Sequence, residues 1–127
     1  MGALGSTVTH VANATDGPLH VMYSTDEMKL REAVLKANNK GDGSAKMTFR
    51  SSDRVTYERI PRRNFAKFDQ LGPLYFTAIA EKNDRYTTVC ENKKIQNNRS
   101  FIVTKSLNFK WQKYGENIWM DEQGNIH

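Results

Sequence analysis

Cysteine, proline and long apolar runs are scarce in this chain of 127 residues. Cys90 is the single cysteine, so the chain cannot form an internal disulfide, and this favours a reducing compartment. No apolar run approaches the roughly 18 residues that a membrane-spanning helix requires. The N-terminus lacks the charged start and apolar centre of a secretion signal. These absences predict a cytoplasmic protein, and any association with a membrane is expected to be peripheral.

Motifs of the common catalytic and cofactor sites are also absent. The sequence contains no phosphate-binding glycine loop, dinucleotide fingerprint, G-x-S-x-G or HExxH. Its three histidines are His10, His20 and His127, and none has acidic or thiol neighbours at the spacing of a metal site. We therefore expect no catalytic residue, metal or cofactor. The enzyme alternative is a small hydrolase or transferase in which Cys90 meets His10 or His20 as nucleophile and base.

Aromatic residues are plentiful, with six Phe, five Tyr and two Trp, and disordered chains seldom contain so many. Strand-like runs recur about every 8–12 residues. This spacing predicts an all-β sandwich or partly closed barrel of about eight short antiparallel strands. One amphipathic α-helix is inserted near residues 25–39. We expect residues 1–6 to be a flexible leader and residues 7–127 to form a single β-sandwich-like domain.

The helix is predicted from its capping signal and its apolar spacing. Ser24 with Glu27 three residues later fits a capping box, and the acidic residues suit a helix N-terminus. The apolar residues that recur at helical intervals are Leu30, Ala33, Val34 and Ala37, with Met28 and Leu35 widening the stripe.

The other apolar runs are interpreted as strands. Residues 7–13 and 19–23 are expected to form an opening hairpin around the turn at residues 14–18. Further strands are predicted at residues 46–50, 54–60, 64–68, 74–80 and 85–90, and the last two form a hairpin. In residues 97–127 the expected inward-facing pairs are Phe101 with Val103, Phe109 with Trp111, and Trp119 with Ile126.

The opening stretch carries one family resemblance. Residues 11–15 read VANAT and residues 18–21 read PLHV. Together they loosely resemble the first hairpin of small lipid-binding β-sandwiches such as aegerolysins and actinoporin-like proteins. The resemblance implies a lipid-binding β-sandwich, and it assigns no functional residue in this chain.

The positive charge is unevenly distributed. The net charge is +5; the first 45 residues carry −1 and the remaining residues +6, which favours anionic partners. Basic and aromatic residues interleave, as in sites that neutralise phosphates and stack on bases. Alternation along half-exposed strands explains the same pattern. The candidate anion-binding residues are Arg59, Arg62, Arg63, Lys67, Lys105, Lys110, Lys113 and Tyr114.

A lipid anchor is predicted at the N-terminus, where residues 1–6 read MGALGS and Gly2 fits the N-myristoylation pattern. One acyl chain binds a membrane only marginally, and a basic surface is the usual second signal. Arg62 and Arg63 beside Phe65 and Phe68 could provide that signal as an apolar tip with cationic flanks. Residues 13–15 and 98–100 match the glycosylation pattern, to which the missing secretion signal gives little weight.

The sequence therefore predicts a non-catalytic binding module with a basic surface, held at a membrane through Gly2. A single-stranded nucleic-acid-binding β-domain is one alternative, and a small lipid-binding or membrane-active β-sandwich protein is another. The expected partner is a protein or an anionic membrane surface, with nucleic acid as the alternative. A free sheet edge would also permit a homodimer.

Overall fold

The computed structural model describes residues 8–38, 46–69, 73–95, 99–113 and 117–127. The helix α1 is Glu27–Asn38. The strands are β1 (Val8–Asn13), β2 (Leu19–Ser24), β3 (Thr56–Ile60), β4 (Phe65–Asp69), β5 (Leu74–Lys82), β6 (Arg85–Ile95), β7 (Phe101–Val103) and β8 (Phe109–Trp111). Outside the described residues lie the predicted leader, the anchor at Gly2, the candidate Tyr114, and Asn98 of the second glycosylation pattern.

The strands form two four-stranded sheets with a shared core. Sheet A has the order β4-β1-β7-β8, and sheet B has the order β3-β2-β5-β6. Their inner faces contribute Val11 and Phe101 from sheet A and Leu19 and Phe76 from sheet B, all 0% exposed. Alternation along each strand directs these side chains inward. The predicted β-sandwich with one helix is therefore confirmed.

The predicted opening hairpin is wrong, because β1 and β2 lie in different sheets. β1 pairs with β4 and β7, while β2 pairs with β3 and β5, so each strand has both edges occupied. The connection at residues 14–18 crosses from one sheet to the other. β1 also pairs with β7 in parallel, contrary to the expectation of antiparallel strands throughout. Two parallel strands must be joined by a long connection, and here residues 14–100 join β1 to β7. The hairpin on which the family resemblance depends has no counterpart in this pairing.

The predicted hairpin of β5 and β6 is confirmed, with Lys82 opposite Arg85. Asn83 and Asp84 between them have φ angles of 52° and 63°. Positive φ at both central residues is the conformation of a two-residue type I′ turn, whose twist matches that of the strands. The turn is therefore tight, and it fixes the register of the longest strand pair.

Residues 46–50, predicted to be a strand, are irregular. They cross the outer face of sheet B instead of joining its edge. The N–H of Thr48 donates to the Ala37 carbonyl at the end of α1, and the Phe49 ring stacks on His20 of β2. The segment is therefore held by the end of the helix and by a side-chain stack on the sheet, and not by strand pairing.

α1 begins two residues later than the capping box predicts. Its cap is Asp26, whose Oδ1 accepts a hydrogen bond from the Lys29 N–H at 3.2 Å. Ser24 Oγ accepts from the Asp26 N–H at 2.9 Å and shapes the preceding turn, so the predicted role of Ser24 is wrong. α1 is described as far as Asn38, and residue 39, its predicted end, lies outside the described residues.

One side of α1 packs on sheet B. The expected stripe is buried, and it contacts Met22 of β2 and Val55. Met28 and Leu35, which were expected to widen the stripe, are 66% and 69% exposed. Their side chains point away from sheet B, so the buried stripe of α1 is narrower than predicted.

The C-terminal segment covers part of the outer face of sheet A. Trp119 packs against Ala12, Ala14 and Ile102. Ile126, expected to face inward with Trp119, is 59% exposed. It joins Met120 through an isolated bridge and not through a strand, so strand alternation does not set its direction. The other two expected pairs do face the core: Phe101 and Val103 are buried, and Phe109 and Trp111 pack against the core while half-buried.

Candidate anion-binding site

Four connections meet at one end of the sandwich. Leu19, the first residue of β2, faces both Ile60 at the end of β3 and Ala80 near the end of β5. The β1–β2, β3–β4 and β5–β6 connections therefore leave the sheets at the same end. Asn13, at the end of β1, faces Val103 at the end of β7, which adds the β7–β8 connection. Residues far apart in sequence are thus neighbours here.

Asn13 holds these connections in position. It is 0% exposed, and its Nδ2 donates to the carbonyls of Gly17, Ile60 and Pro61 at 2.9, 2.9 and 3.2 Å. Its Oδ1 accepts from the N–H and the hydroxyl of Thr15 at 2.9 and 2.6 Å. A buried amide with its donors engaged cannot carry a glycan, so the pattern at residues 13–15 is structural and not a glycosylation site.

A basic cleft of about 430 Å³ opens between three of these connections. The side chains that matter for its chemistry are Thr15, Asp16, Arg62, Arg63, Lys105 and His127. Arg62 and Arg63 form the β3–β4 turn, and Lys105 belongs to the β7–β8 turn. Among the described residues, no carboxylate lies within ion-pair distance of Arg62 or Lys105. The cleft therefore presents a net positive charge, because Asp16 is the one carboxylate among its described lining residues and three of the others are cations.

Arg63 is held in place within the cleft. Its backbone φ of 62° is left-handed, and its N–H donates to the Asn13 carbonyl at 3.0 Å. Its guanidinium lies 4.2 Å from the centre of the Trp119 ring and donates from Nη1 to the His127 carbonyl oxygen at 3.0 Å. Stacking and one hydrogen bond orient the group and leave its other N–H donors for a ligand.

His127 is fixed at the rim by Asp121. Its Nε2 lies 2.7 Å from Asp121 Oδ2, while Asp121 Oδ1 accepts from the backbone N–H groups of Gln123 and Asn125. The hydrogen bond from His127 is the main cause that lowers the pKa of Asp121 to about 2. The carboxylate therefore stays ionised and keeps the imidazole in one orientation.

A neighbouring cleft of about 540 Å³ lies on the other side of Asp16. The residues that define it are Thr15, Asp16, Glu81, Lys82, Arg85, Lys105 and Leu107, and the Glu81 carboxylate is hydrogen-bonded to His20. Asp16 Oδ2 accepts from Lys82 Nζ at 3.0 Å, and this hydrogen bond, with the charges of Lys82, Lys105 and Arg62, lowers the pKa of Asp16. Asp16 is thus an anion partly neutralised by its surroundings.

Gly17 allows the β1–β2 connection to approach the β5–β6 hairpin. A Cβ at this position would lie 2.1 Å from the carbonyl oxygen of Glu81. The Glu81 N–H donates to the Pro18 carbonyl at 3.0 Å across the same contact. A side chain at residue 17 would separate the two connections that form the wall of the neighbouring cleft.

The predicted anion-binding residues do not form one surface. Arg62, Arg63 and Lys105 meet in the basic cleft. Arg59 lies on β3 opposite His20 of sheet B, while Lys67 and Lys110 lie on β4 and β8 of sheet A. Lys113 is exposed after β8. The sequence missed Thr15, Asp16, Lys82, Arg85 and His127. The first four lie in or beside a turn, which is the signal that could have found them, whereas His127 lies outside the turns.

The aromatic rings of β8 contact cations from other parts of the chain. Lys93 Nζ of β6 lies 4.8 Å from the Phe109 ring centre, and the Arg99 guanidinium lies 4.2 Å from that of Trp111. Phe68, expected beside Phe65 at an apolar tip, is 4% exposed and belongs to the core, whereas Phe65 is 49% exposed.

A buried polar cluster surrounds His20 on the outer face of sheet B. His20 is 6% exposed, with Nδ1 at 2.7 Å from the Tyr57 hydroxyl and Nε2 at 2.7 Å from Glu81 Oε1. The Phe49 ring stacks on it at 4.3 Å. Burial lowers the pKa of His20, and the hydrogen bond with Glu81 opposes that effect. The imidazole therefore joins the irregular segment to the sheet through the Phe49 ring.

Cys90 and the histidines do not assemble. Cys90 of β6 pairs with Ala78 and packs against the core, whereas His20 lies on the opposite face of the same sheet. His10 lies in sheet A beside Lys67 and Ser100. Burial raises the pKa of Cys90 to about 11. A thiol with that pKa is a poor nucleophile, so the nucleophile-and-base hypothesis is not supported by this geometry.

The described residues contain neither a metal-binding cluster nor a membrane-spanning helix. No group of three or more His, Cys, Asp or Glu side chains there could hold a metal ion. Within the same ranges, no helix has the length and apolarity needed to cross a bilayer. No protein-family model, curated protein or solved structure matches the chain.

Proposed function

We propose that this protein is a non-catalytic binding module whose basic cleft takes up a phosphate-bearing anion. The observation that carries the proposal is the convergence of Arg62, Arg63 and Lys105 from two separate turns on one cavity. Guanidinium groups bind phosphate oxygens through paired hydrogen bonds, and an ammonium group adds a point charge. The cleft volume is in the range of roughly 300–1,000 Å³ that is usual for small-molecule sites.

The fixed position of the Arg63 side chain supports specific binding of a ligand, beyond the attraction that any positively charged surface exerts on anions. Immobilising a long side chain on binding costs roughly 0.5–1.5 kcal/mol. Arg63 is already held by Trp119 and by the His127 carbonyl, so little of that cost remains. An ordinary solvated surface would leave such a side chain without fixed contacts.

The phosphate can belong to a lipid headgroup or to a soluble molecule, and a membrane surface is the source we favour. Phe65 is 49% exposed at the start of β4, two residues after Arg63. An exposed ring beside cations suits the boundary between headgroups and acyl chains of an anionic leaflet. Acylation of Gly2 would add the second signal that a basic surface needs for stable attachment.

The nucleic-acid alternative has less support from the contacts. Bases bind to exposed rings that lie beside free cations. Phe109 and Trp111, the aromatic residues that suggested this alternative, already contact Lys93 and Arg99. Arg99 is further engaged by Glu122 at 2.5 Å. A base would have to displace contacts that the fold makes by itself.

The test compares soluble and membrane-bound phosphate. Titration calorimetry with an inositol phosphate measures the soluble arm, and sedimentation with vesicles that contain a phosphoinositide in phosphatidylcholine measures the membrane arm. The double variant Arg62→Glu, Lys105→Glu changes the cleft. We expect it to weaken binding roughly tenfold or more, because it replaces two attractive charges by repulsive ones.

The matched control is Lys67→Glu, Lys110→Glu, which changes the net charge equally on the outer face of sheet A. We expect it to retain most of the binding. Equal losses in both double variants would mean that only net charge matters, and the proposal would be rejected. Binding of vesicles but not of the soluble phosphate would identify the lipid as the source, and the reverse would identify a soluble ligand.

A further inference from the structure

The basic cleft and the neighbouring cleft form one continuous basic surface. They share Thr15, Asp16 and Lys105 as a common wall. Each has a volume, about 430 and 540 Å³, typical of a cavity that holds a small molecule by itself. A single phosphate group would leave most of the combined space empty, so the shape suits a larger anion.

Cations stand on both sides of the shared wall. Arg62 and Arg63 belong to the basic cleft, Lys82 and Arg85 belong to the neighbouring cleft, and Lys105 borders both. In the described part of the chain no carboxylate lies within ion-pair distance of Arg85. The basic cleft therefore offers its cations to one anionic group, and Arg85 is available to a second. Lys82 is paired with Asp16 at 3.0 Å and adds positive charge to the same cleft as Arg85.

Asp16 lies between these two groups of cations. One of its oxygens accepts from Lys82, and the side chain is part of both clefts. A carboxylate repels a phosphate placed directly on it and accepts a hydrogen bond from a hydroxyl. The middle of the site therefore suits a neutral, hydroxyl-bearing part of a ligand.

We propose that the site binds a polyol that carries at least two phosphate groups, one in each cleft, with hydroxyls facing Asp16. This inference rests on the proposed function, since it assumes that the basic cleft binds phosphate. It goes further by assigning a second phosphate position to Arg85 and Lys82. The ligand class is a multiply phosphorylated polyol, either free or as the headgroup of a lipid.

Titration calorimetry on the full chain with four ligands tests the inference. The ligands are an inositol monophosphate, an inositol bisphosphate with adjacent phosphates, one with phosphates across the ring, and pyrophosphate, which has no hydroxyl. The variants are Arg62→Gln for the basic cleft and Arg85→Gln for the neighbouring cleft, with Lys67→Gln as the surface control. Circular dichroism of each variant checks that the fold is retained.

We expect at least one bisphosphate to bind about tenfold or more tightly than the monophosphate and than pyrophosphate. Each cleft variant should weaken that bisphosphate by about tenfold, and the two losses should add in the double variant. Equal binding of monophosphate and bisphosphates, with no effect of Arg85→Gln, would overturn the second phosphate position and leave the proposed function intact. If none of the four ligands binds, and the phosphoinositide vesicles do not bind either, the proposed function itself fails. Repeating the bisphosphate titration with the same headgroup in vesicles separates the lipid from the soluble source.

Discussion

The substitution Asn13→Asp tests whether one buried amide holds the loop end together. Asn and Asp have nearly the same shape, so the change replaces the Nδ2 donor by an oxygen without changing packing. Asn13 is 0% exposed, and its Nδ2 lies 2.9 Å from both the Gly17 and the Ile60 carbonyl oxygens. The substitution therefore places an acceptor against acceptors in a site without solvent.

The expected cost follows from these contacts. Leaving a buried hydrogen-bonding group unsatisfied costs about 1–3 kcal/mol, and Asn13 serves at least two carbonyls at good distance. An ionised carboxylate in the same place adds a desolvation and repulsion cost. We expect the free energy of unfolding at neutral pH to fall by about 4 kcal/mol or more, a large part of the roughly 5–15 kcal/mol of a whole domain.

The stability of the Asn13→Asp variant should also change with pH in a defined direction. Burial and three neighbouring carbonyl oxygens should raise the pKa of the introduced carboxyl in the folded state above its unfolded value of about 4. The folded variant then holds the proton more tightly, so its stability falls as pH rises from about 4 through the folded pKa. Urea unfolding, followed by tryptophan fluorescence at pH 4.5 and 7.5, measures the difference.

Asn64→Asp is the matched control, because Asn64 is exposed and its Nδ2 donates to the Arg62 carbonyl at 3.3 Å. We expect it to change stability by less than about 1 kcal/mol at either pH. A stability of Asn13→Asp within about 1 kcal/mol of the unmodified protein at pH 7.5 would refute the assigned role of Asn13. The same conclusion would follow if the two variants had the same pH dependence.

Three further predictions concern the loop end and the helix. Gly17→Ala should cost about 1–3 kcal/mol and weaken phosphate binding, because its Cβ would meet the Glu81 carbonyl; chemical unfolding and calorimetry measure both. Asp121 has a lowered pKa of about 2, so its stabilising effect should be present above about pH 4 and lost toward pH 2. Asp121→Asn should therefore flatten the acid side of the stability curve. Leu30→Ala should cost about 2–5 kcal/mol, whereas Leu35→Ala, at a 69% exposed position, should change stability by less than about 0.5 kcal/mol in the same urea titration.

Sequence patterns correctly predicted the elements that are determined by residues close together in the sequence. The β5–β6 hairpin depends on two neighbouring apolar runs and on a two-residue turn, Asn83 and Asp84, both of which accept positive φ. The buried stripe of α1 follows from its 3.6-residue spacing. In each case the information lies within about 20 residues, which is the range over which periodicity and turn chemistry act.

Non-local pairing explains the failed predictions. β1 and β2 are adjacent in sequence, and their turn residues would suit a hairpin, yet each strand finds both partners elsewhere. The decisive contact is the buried amide of Asn13, which joins β1 to residues near 17 and 60. A single asparagine in a sequence rich in polar residues has no pattern that distinguishes it from a solvent-exposed one, so sequence reasoning could not find it.

The site shows why cations in turns are more informative than cations in strands for a fold of this kind. Arg59, Lys67 and Lys110 lie on strands, where alternation sends each to one sheet face and separates them. Arg62, Arg63 and Lys105 lie in turns, and in a sandwich the turns at one end converge whatever their order in the sequence. Counting basic residues along the chain does not separate cations on strands from cations in turns. The predicted set of anion-binding residues contained both kinds, and only those in turns meet in the structure. Sorting the cations by predicted turn, and then by the end of the sandwich to which each turn belongs, would have selected the basic cleft and added Lys82.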